Sequence, residues 1–410
     1  MTLLADRGKA APSARLFPDL LRLIHPIDLM TFQQDCWERA PLVVHRNDPH
    51  YFEDLLTLDH IDDELSRSGA RLDTLRVVMD GKETPVSELG SSSGRNGSIN
   101  ALEALYERYR RGSTIVLNSL EQYCEPLQRL SESLGAQLSA RLQMNVYLTP
   151  AGAQGFAPHY DVHDVFIAQV YGTKRWRLAS QPYELPLQGQ PYDKSQPEPT
   201  PEHEFDLRAG DLLYLPRGAI HSATSNETAS VHVTIGVHPV LYSQAITDAL
   251  GKVFADDVRF RRGLPMGFAT DEGLQRRAAE TLIELIDALR AGLSPHDVVA
   301  ESVRRAASIS TPTLRHHLTD LEQLNEIGVD TLVRRRPNLR CHVTVVDDVV
   351  CLDFHDKTVQ FPAHIGDELR FVTAINGAGV TGAAIPGELD EPGRVVLIQT
   401  LVREGFLTVG

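Results

Sequence analysis

The chain is poor in three things, and each scarcity excludes something. Its four cysteines, Cys36, Cys124, Cys341 and Cys351, are scattered through 410 residues without CxxC spacing. So few thiols do not make a disulfide framework in so long a chain, and a zinc ribbon is excluded. Free thiols in a reducing cytoplasm are expected. Positive charge is also short: 40 basic residues stand against 55 acidic ones, for a formal charge of −15. A phosphate-binding surface is usually basic, so nucleic acid is disfavoured as a partner. Long apolar runs are missing too. No segment approaches the roughly 20 apolar residues that span a bilayer, and none is expected to sit in a membrane. The opening "MTLLADRGKAAPSARLFPDLLRLI" lacks the continuous apolar core and cleavage site of a signal peptide.

The apolar fraction, 42%, suffices for ordinary cores, and the length suggests two or three domains. Residues 1–150 read as mixed and mostly helical. "MTFQQDCWERAPLVV" predicts a helix ending before Pro41 and then a short strand, "GSSSGRNGS" (90–98) a flexible loop, and "NALEALYERYRR" and "SLEQYCEPLQRLSESLG" helices. From Gln143 to about Val240 the pattern changes to short strands separated by Gly and Pro turns, which predicts a β-barrel or sandwich. "DVFIAQVYG", "KRWRLAS", "GDLLYLPRGAIHSATS" and "SVHVTIGVHPV" are its strands. The Pro-rich "PLQGQPYDKSQPEPTPEHE" is a long surface loop. Beyond Val240 helices return. "DEGLQRRAAETLIELIDALRAGL" repeats apolar residues at three- and four-residue intervals, with Asp271 and Glu272 at its start and Gly292 at its end. Ser294-Pro295-His296-Asp297 then has the form of a capping box. These helices form a linker or an oligomerisation unit, or pack on their own domain. Residues 330–410 follow a strand-and-helix pattern that fits a winged helix. Within 361–410, Arg370, Arg394 and Arg403 face Asp367, Glu368, Glu388, Asp390, Glu391 and Glu404, a balance that repels phosphate.

The chemistry concentrates in "GFAPHYDVHDVF", which holds His159, Asp161, His163 and Asp164 among apolar neighbours. On a strand, alternate residues share a face, so His159 and Asp161 point together, and His163 continues the row. The turn Pro216-Arg217-Gly218 leads to His221, 60 residues after Asp161. Two imidazoles and one carboxylate on one side of a metal leave three positions open, the facial triad of non-haem Fe(II) oxygenases. His163 in place of His221 is the alternative, and it leaves His221 without a role. An oxygenase that uses 2-oxoglutarate must also neutralise the distal carboxylate of that co-substrate inside the barrel. In "YGTKRWRLAS", Lys174 shares a face with the apolar Trp176 and Leu178, whereas Arg175 and Arg177 take the other; Lys174 is the inward cation.

These segments, "NVYLTPAGAQGFAPHYDVHDVFIAQVYGTKRWRL" and "GDLLYLPRGAIHSATS", resemble the ribosomal oxygenases, JmjC-type protein hydroxylases of the cupin superfamily. The resemblance is continuous over about 145–180 and 210–236, and looser along the rest. It implies an α+β chain: a double-stranded β-helix barrel with N-terminal helices (1–240), a helical dimerisation region (241–329) and an acidic winged-helix domain (330–410). By resemblance, His159, Asp161 and His221 hold Fe(II) and Lys174 binds the distal carboxylate of 2-oxoglutarate. Asn145 and Thr234 lie by the co-substrate, and Tyr147 lies on the substrate side. Gly236 stands where some relatives carry a serine. The implied reaction consumes O₂ and 2-oxoglutarate, releases succinate and CO₂, and hydroxylates a side chain of a protein or peptide. In relatives that side chain is a histidine or an arginine of a ribosomal protein, and histidine is taken first here. Competing readings are an oxygenase tailoring a peptide natural product or a small molecule, a different cupin enzyme such as an isomerase, and a non-enzymatic winged-helix binding protein. A cytoplasmic homodimer is expected.

Overall fold

The computed structural model describes residues 18–67, 75–85, 97–180, 182–193, 195, 197, 199–309, 314–375, 377 and 379–410. The chain divides into two units, one ending at Pro239 and one running from Val240 to Gly410. The expected helical region and the expected C-terminal domain thus fall within a single unit.

The first unit contains helices α1 (Pro18–Ile24), α2 (Leu29–Thr31), α3 (Leu58–Arg67), α4 (Gly97–Arg110) and α5 (Glu125–Leu138). Its strands are β1 (Leu42–Val44), β2 (Leu75–Met79), β3 (Lys82–Thr84), β4 (Thr114–Leu117), β5 (Ala140–Thr149), β6 (Asp164–Tyr171), β7 (Thr173–Ala179), β8 (His203–Arg208), β9 (Leu212–Leu215), β10 (Ile220–Ser225) and β11 (Ser230–Pro239). They form an eight-stranded sheet, β1-β9-β6-β11-β5-β4-β2-β3, and a three-stranded sheet, β10-β7-β8. All the pairings are antiparallel.

Strand alternation sorts the side chains between two cores. On β6, Phe166 and Ala168 join the large cluster that includes the helices, and Val165 and Ile167 join a second cluster with Trp176 and Leu178 of β7. On β9, Leu212 and Tyr214 go to the first cluster, and Leu213 and Leu215 to the second. The second cluster is therefore what holds the small sheet against the large one. The central strands β5 and β11 are more divided still. Met144 and Val146, with Val231, Val233, Ile235 and Val237, pack toward the helices. Their other face carries Asn145, Tyr147, Thr149, His232, Thr234 and Gly236, paired across the ladder as Thr149–Ser230, Tyr147–His232, Asn145–Thr234 and Gln143–Gly236. A polar wall facing the space between two sheets is costly unless it meets a ligand or its own partners. At Gly172, between β6 and β7, φ is +65° and a Cβ would run into the Ala229 carbonyl, so the turn requires glycine.

Several expectations need correction. The stretch from His159 to His163 is not a strand: His159 makes an isolated bridge and β6 starts only at Asp164. "GDLLYLPRGAIHSATS" is two strands in different sheets, because the turn at Pro216–Gly218 redirects the chain. The segment "MTFQQDCWERA" gives only α2 and a π-turn, Phe32–Cys36, before β1. Strand β8 went unread, its "HEFDLR" being a polar edge beside β7. The N-terminal residues up to 17, and 90–96 of the expected loop, lie outside the described residues; 97 and 98 already belong to α4.

In the second unit, α6 (Tyr242–Asp256), α7 (Glu272–Gly292) and α8 (Pro295–Ser308) precede α9 (His317–Glu322), α10 (Gly366–Thr373) and α11 (Glu391–Arg403). Asp271 caps α7 by accepting from Leu274 N, and Ser294 caps α8 by accepting from Asp297 N, with Pro295 in its first turn. Strands β13 (Cys341–Val346), β14 (Val349–Phe354) and β15 (Lys357–Pro362) form a meander, and β12 (Val333–Arg335) pairs with β16 (Leu407–Val409). Val350, Leu352 and Phe354 of β14 share a core with Leu369 and Val372 of α10 and Leu397, Leu401 and Val402 of α11. Among the described residues, no helix is long and apolar enough to cross a membrane.

Candidate active site

Two segments that are distant in sequence meet through their backbones. His159 N–H donates to the His221 carbonyl (3.1 Å), and His221 N–H returns the bond to the His159 carbonyl (2.8 Å). One step along, Gly218 N–H donates to the Asp161 carbonyl (3.0 Å). This pairing brings His159, Asp161 and His221 together, with one ligand-capable atom from each within 4.8 Å of the others. The imidazole centroids lie 4.6 Å apart, and His221 Nε2 is 3.8 Å from Asp161 Oδ2.

The donor chemistry suits a divalent metal. His159 Nδ1 lies 2.8 Å from the Ala157 carbonyl, and His221 Nδ1 lies 3.0 Å from that of Ala219. A carbonyl only accepts, so each Nδ1 carries a proton and each Nε2 is the nitrogen free to face a metal. Hydrogen bonding of this kind fixes metal-binding histidines in orientation and tautomer. Burial and the neighbouring His159 hold His221 below the ordinary histidine range, which keeps it neutral. Burial disfavours the charged form of Asp161, but the imidazoles around it, His159 foremost, outweigh that and hold the carboxyl below its usual range. No thiol is among these ligands, and the nitrogen–oxygen set matches iron of the non-haem type.

The triad borders a cavity of about 250 Å³. Lys174 lies on its wall, 4% exposed, and donates to Thr149 Oγ1 (3.0 Å), which also accepts from Thr114 Oγ1 (3.2 Å). Burial lowers the ammonium to about 7. Thr114 and Thr149 supply hydroxyls and no carboxylate, so the cation is left for a ligand to neutralise. Arg175 and Arg177 point outward, with Arg175 on Asp206 (2.8 Å) and Arg177 near Glu204 (3.4 Å).

Tyr147, Phe156, Trp176, His232 and Thr234 also line the cavity. Tyr147 stacks on His232 with centroids 4.7 Å apart, and burial pushes its phenol up, so it stays protonated. Asn145 is placed differently: its Oδ1 accepts from Ser119 N–H (2.9 Å). His163 turns away to stack on His238 (centroids 4.5 Å), over Gly236, where a Cβ would come within 2.8 Å of His163 Nε2. Asp164 is fully buried on Arg217 and does not join the triad.

Sequence reasoning missed His232, Thr149 and Thr114. For the first two a signal was present. "SVHVTIGVH" and "QMNVYLT" alternate strictly, and their polar registers carry His232 and Thr149. Thr114 opens the otherwise apolar "TIVL" and has no such mark.

A family model for the JmjC domain matches residues 119–244. Among curated proteins, the chain is 33% identical over 286 residues to ribosomal oxygenase 2 of Mus musculus, covering 65% of this chain and 59% of that one. It is 34% identical over 259 residues to the bifunctional lysine-specific demethylase and histidyl-hydroxylase NO66 of Drosophila yakuba, covering 60% and 36%. The chain thus spans about three-fifths or less of these relatives' lengths. Among solved structures, E. coli ycfD aligns over 94% of this chain and 98% of its own, at 16% identity and a TM-score of 0.52. The same protein in complex with cobalt and succinic acid aligns over 93% and 98%, at 17% identity and a TM-score of 0.51. At such identity these structures speak for the fold alone, a JmjC/cupin-type oxygenase fold of mixed helices and sheets. Residues 119–244 thus carry a JmjC domain, and the chain is similar to ribosomal oxygenases over about three-fifths of its length.

Proposed function

We propose that the protein is an Fe(II)- and 2-oxoglutarate-dependent oxygenase that hydroxylates a side chain, histidine before arginine, in a protein or peptide, with a ribosomal protein as the first candidate. The observation that carries this reading is the buried Lys174, without a carboxylate partner in the described site, on the same cavity as the His159–Asp161–His221 group. The two Nε2 atoms and the Asp161 carboxylate would hold the iron. Iron and 2-oxoglutarate, when bound, supply the oxidising chemistry that places one oxygen of O₂ on an unactivated C–H bond and the other in succinate. Lys174 receives the distal carboxylate of the co-substrate, with the Thr149 hydroxyl beside it. That contact returns the lysine to its charged form, because an adjacent anion favours the ammonium. Thr234 lies by the co-substrate, and Tyr147, stacked on His232, faces the target side chain. Trp176 and Phe156 exclude water from this space.

The formal charge of −15 suits a basic target. Residues 330–410 are read as an acidic winged helix that contacts protein, not nucleic acid. On α7, Leu282, Ile283 and Ile286 are 48%, 63% and 59% exposed, which supports a homodimer closed by a second copy of this face. The four free cysteines fit a cytoplasmic setting.

The deciding experiment supplies iron, ascorbate and 2-oxoglutarate with ribosomal proteins of the same source. The expected result is succinate release and a target peptide heavier by one oxygen atom. Both should vanish in His159→Ala and His221→Ala. Turnover that survives either substitution would defeat the assignment.

A further inference from the structure

Behind the candidate metal site lies a charged group that the reaction does not use. Asp164 is fully buried and Arg217 is 6% exposed. Asp164 Oδ1 accepts from the Arg217 backbone N–H (3.1 Å) and the Tyr214 hydroxyl (3.3 Å), and Oδ2 accepts from Arg217 Nη1 (2.9 Å). The same Nη1 donates to Glu38 Oε1 (2.6 Å), and Glu38 N–H donates to the Tyr214 oxygen (2.9 Å). Trp37 stacks on Tyr214 at 5.9 Å.

The location gives this group its significance. Asp164 follows Asp161 by three residues, and Arg217 precedes His221 by four. Three rungs connect the same two segments in succession: the Asp164–Arg217 pair, the Gly218-to-Asp161 bond and the His159–His221 bridge. Residues 160–163 and 216–219 belong to no strand, so no ladder holds them in register. A buried ion pair adds little net stability compared with apolar side chains of equal volume, but it fixes direction and spacing. Here Asp164 grips both the backbone and the side chain of the turn that delivers His221.

We propose that Asp164 and Arg217, with Glu38 as their outer partner, are positioning residues that set the spacing between Asp161 and His221 for the metal. The inference rests on the metal-site reading above. Groups that orient metal ligands from behind typically contribute 10–100-fold to metal affinity, and a change of about that size is expected here.

The test is a Co(II) titration of the metal-free full chain, read by visible d–d absorption and by chelator competition, with far-UV circular dichroism and a thermal melt as fold controls. Asp164→Asn should bind Co(II) about 10–100-fold more weakly, with an altered band pattern. A folded Asp164→Asn protein with wild-type affinity and spectrum overturns the proposal. If Asp164→Asn does not fold, Glu38→Gln, at the half-buried outer end, decides alone. A fall of about threefold or more in affinity at an unchanged melting temperature supports the clamp, and unchanged affinity overturns it. A wild-type chain that takes up no Co(II) overturns the metal-site reading and the clamp together, whereas wild-type uptake with unaffected variants removes only the clamp.

Discussion

Lys174 is held at a cost that can be measured. Its ammonium is lowered from 10.5 to about 7 by burial alone. At 1.36 kcal/mol per pH unit this corresponds to about 5 kcal/mol of destabilisation in the ligand-free protein. Lys174→Met removes the charge and keeps the apolar stem. It loses the hydrogen bond to Thr149, about 1 kcal/mol, and Thr149 keeps the Thr114 hydroxyl as a partner. The variant should therefore be more stable than the wild type by roughly 3 kcal/mol near neutral pH, allowing for imperfect packing of the new side chain. Both tryptophans, Trp37 and Trp176, belong to the first unit, so their fluorescence follows its unfolding. The melting temperature should rise by roughly 6–12 °C. The pH dependence has a definite sign. Below pH 7 the lysine is protonated in both states and the wild type bears the full cost. As pH rises from about 7 towards 10.5, the unfolded chain keeps a proton that the folded chain has released, so wild-type stability increases and the gap closes. Co-substrate binding should be lost in the same variant. A Lys174→Met protein that melts at or below the wild-type temperature, or a gap that stays constant between pH 7 and 10, would refute this account of the cavity.

Three further expectations follow from the geometry. Binding of 2-oxoglutarate to the Co(II)-loaded protein should take up a proton above pH 7 and weaken about tenfold per pH unit well above that point; calorimetry in buffers of different ionisation enthalpy measures this, and a flat profile would contradict it. Gly236→Ala places a Cβ 2.8 Å from His163 Nε2 and should cost about 1–3 kcal/mol, with part of the loss recovered when His163 is also changed to alanine; additive losses would show that the two do not compete for space. In the second unit, Asp320 and Arg336 are both 3% exposed and 2.9 Å apart, and Asp320 also accepts from Thr408 Oγ1 and Val409 N–H. Asp320→Ala should cost about 3–5 kcal/mol in urea unfolding followed by circular dichroism, and a loss below about 1 kcal/mol would refute a structural role for the pair.

Much of this molecule was already legible in its residues. Spacing and donor type in "HYD" and "PRGAIH" were enough to name His159, Asp161 and His221, because few combinations of imidazole and carboxylate leave a metal with open positions. Alternation along "KRWRL" singled out Lys174, because a strand must put Trp176 and its neighbours at i±2 on one face. The capped helices α7 and α8 were readable because their signals are local. Tertiary structure decided the rest. No local pattern tells that His163 turns to His238, that Asn145 accepts from Ser119 N–H, or that Asp164 belongs to Arg217 and not to a metal. Those outcomes depend on which strand lies opposite. The ligand stretch itself is not a strand, because it must leave the sheet to meet the turn at Pro216. Partners 53 residues apart, as Asp164 and Arg217 are, are chosen by the topology of the two sheets, and a one-dimensional pattern carries no record of that choice.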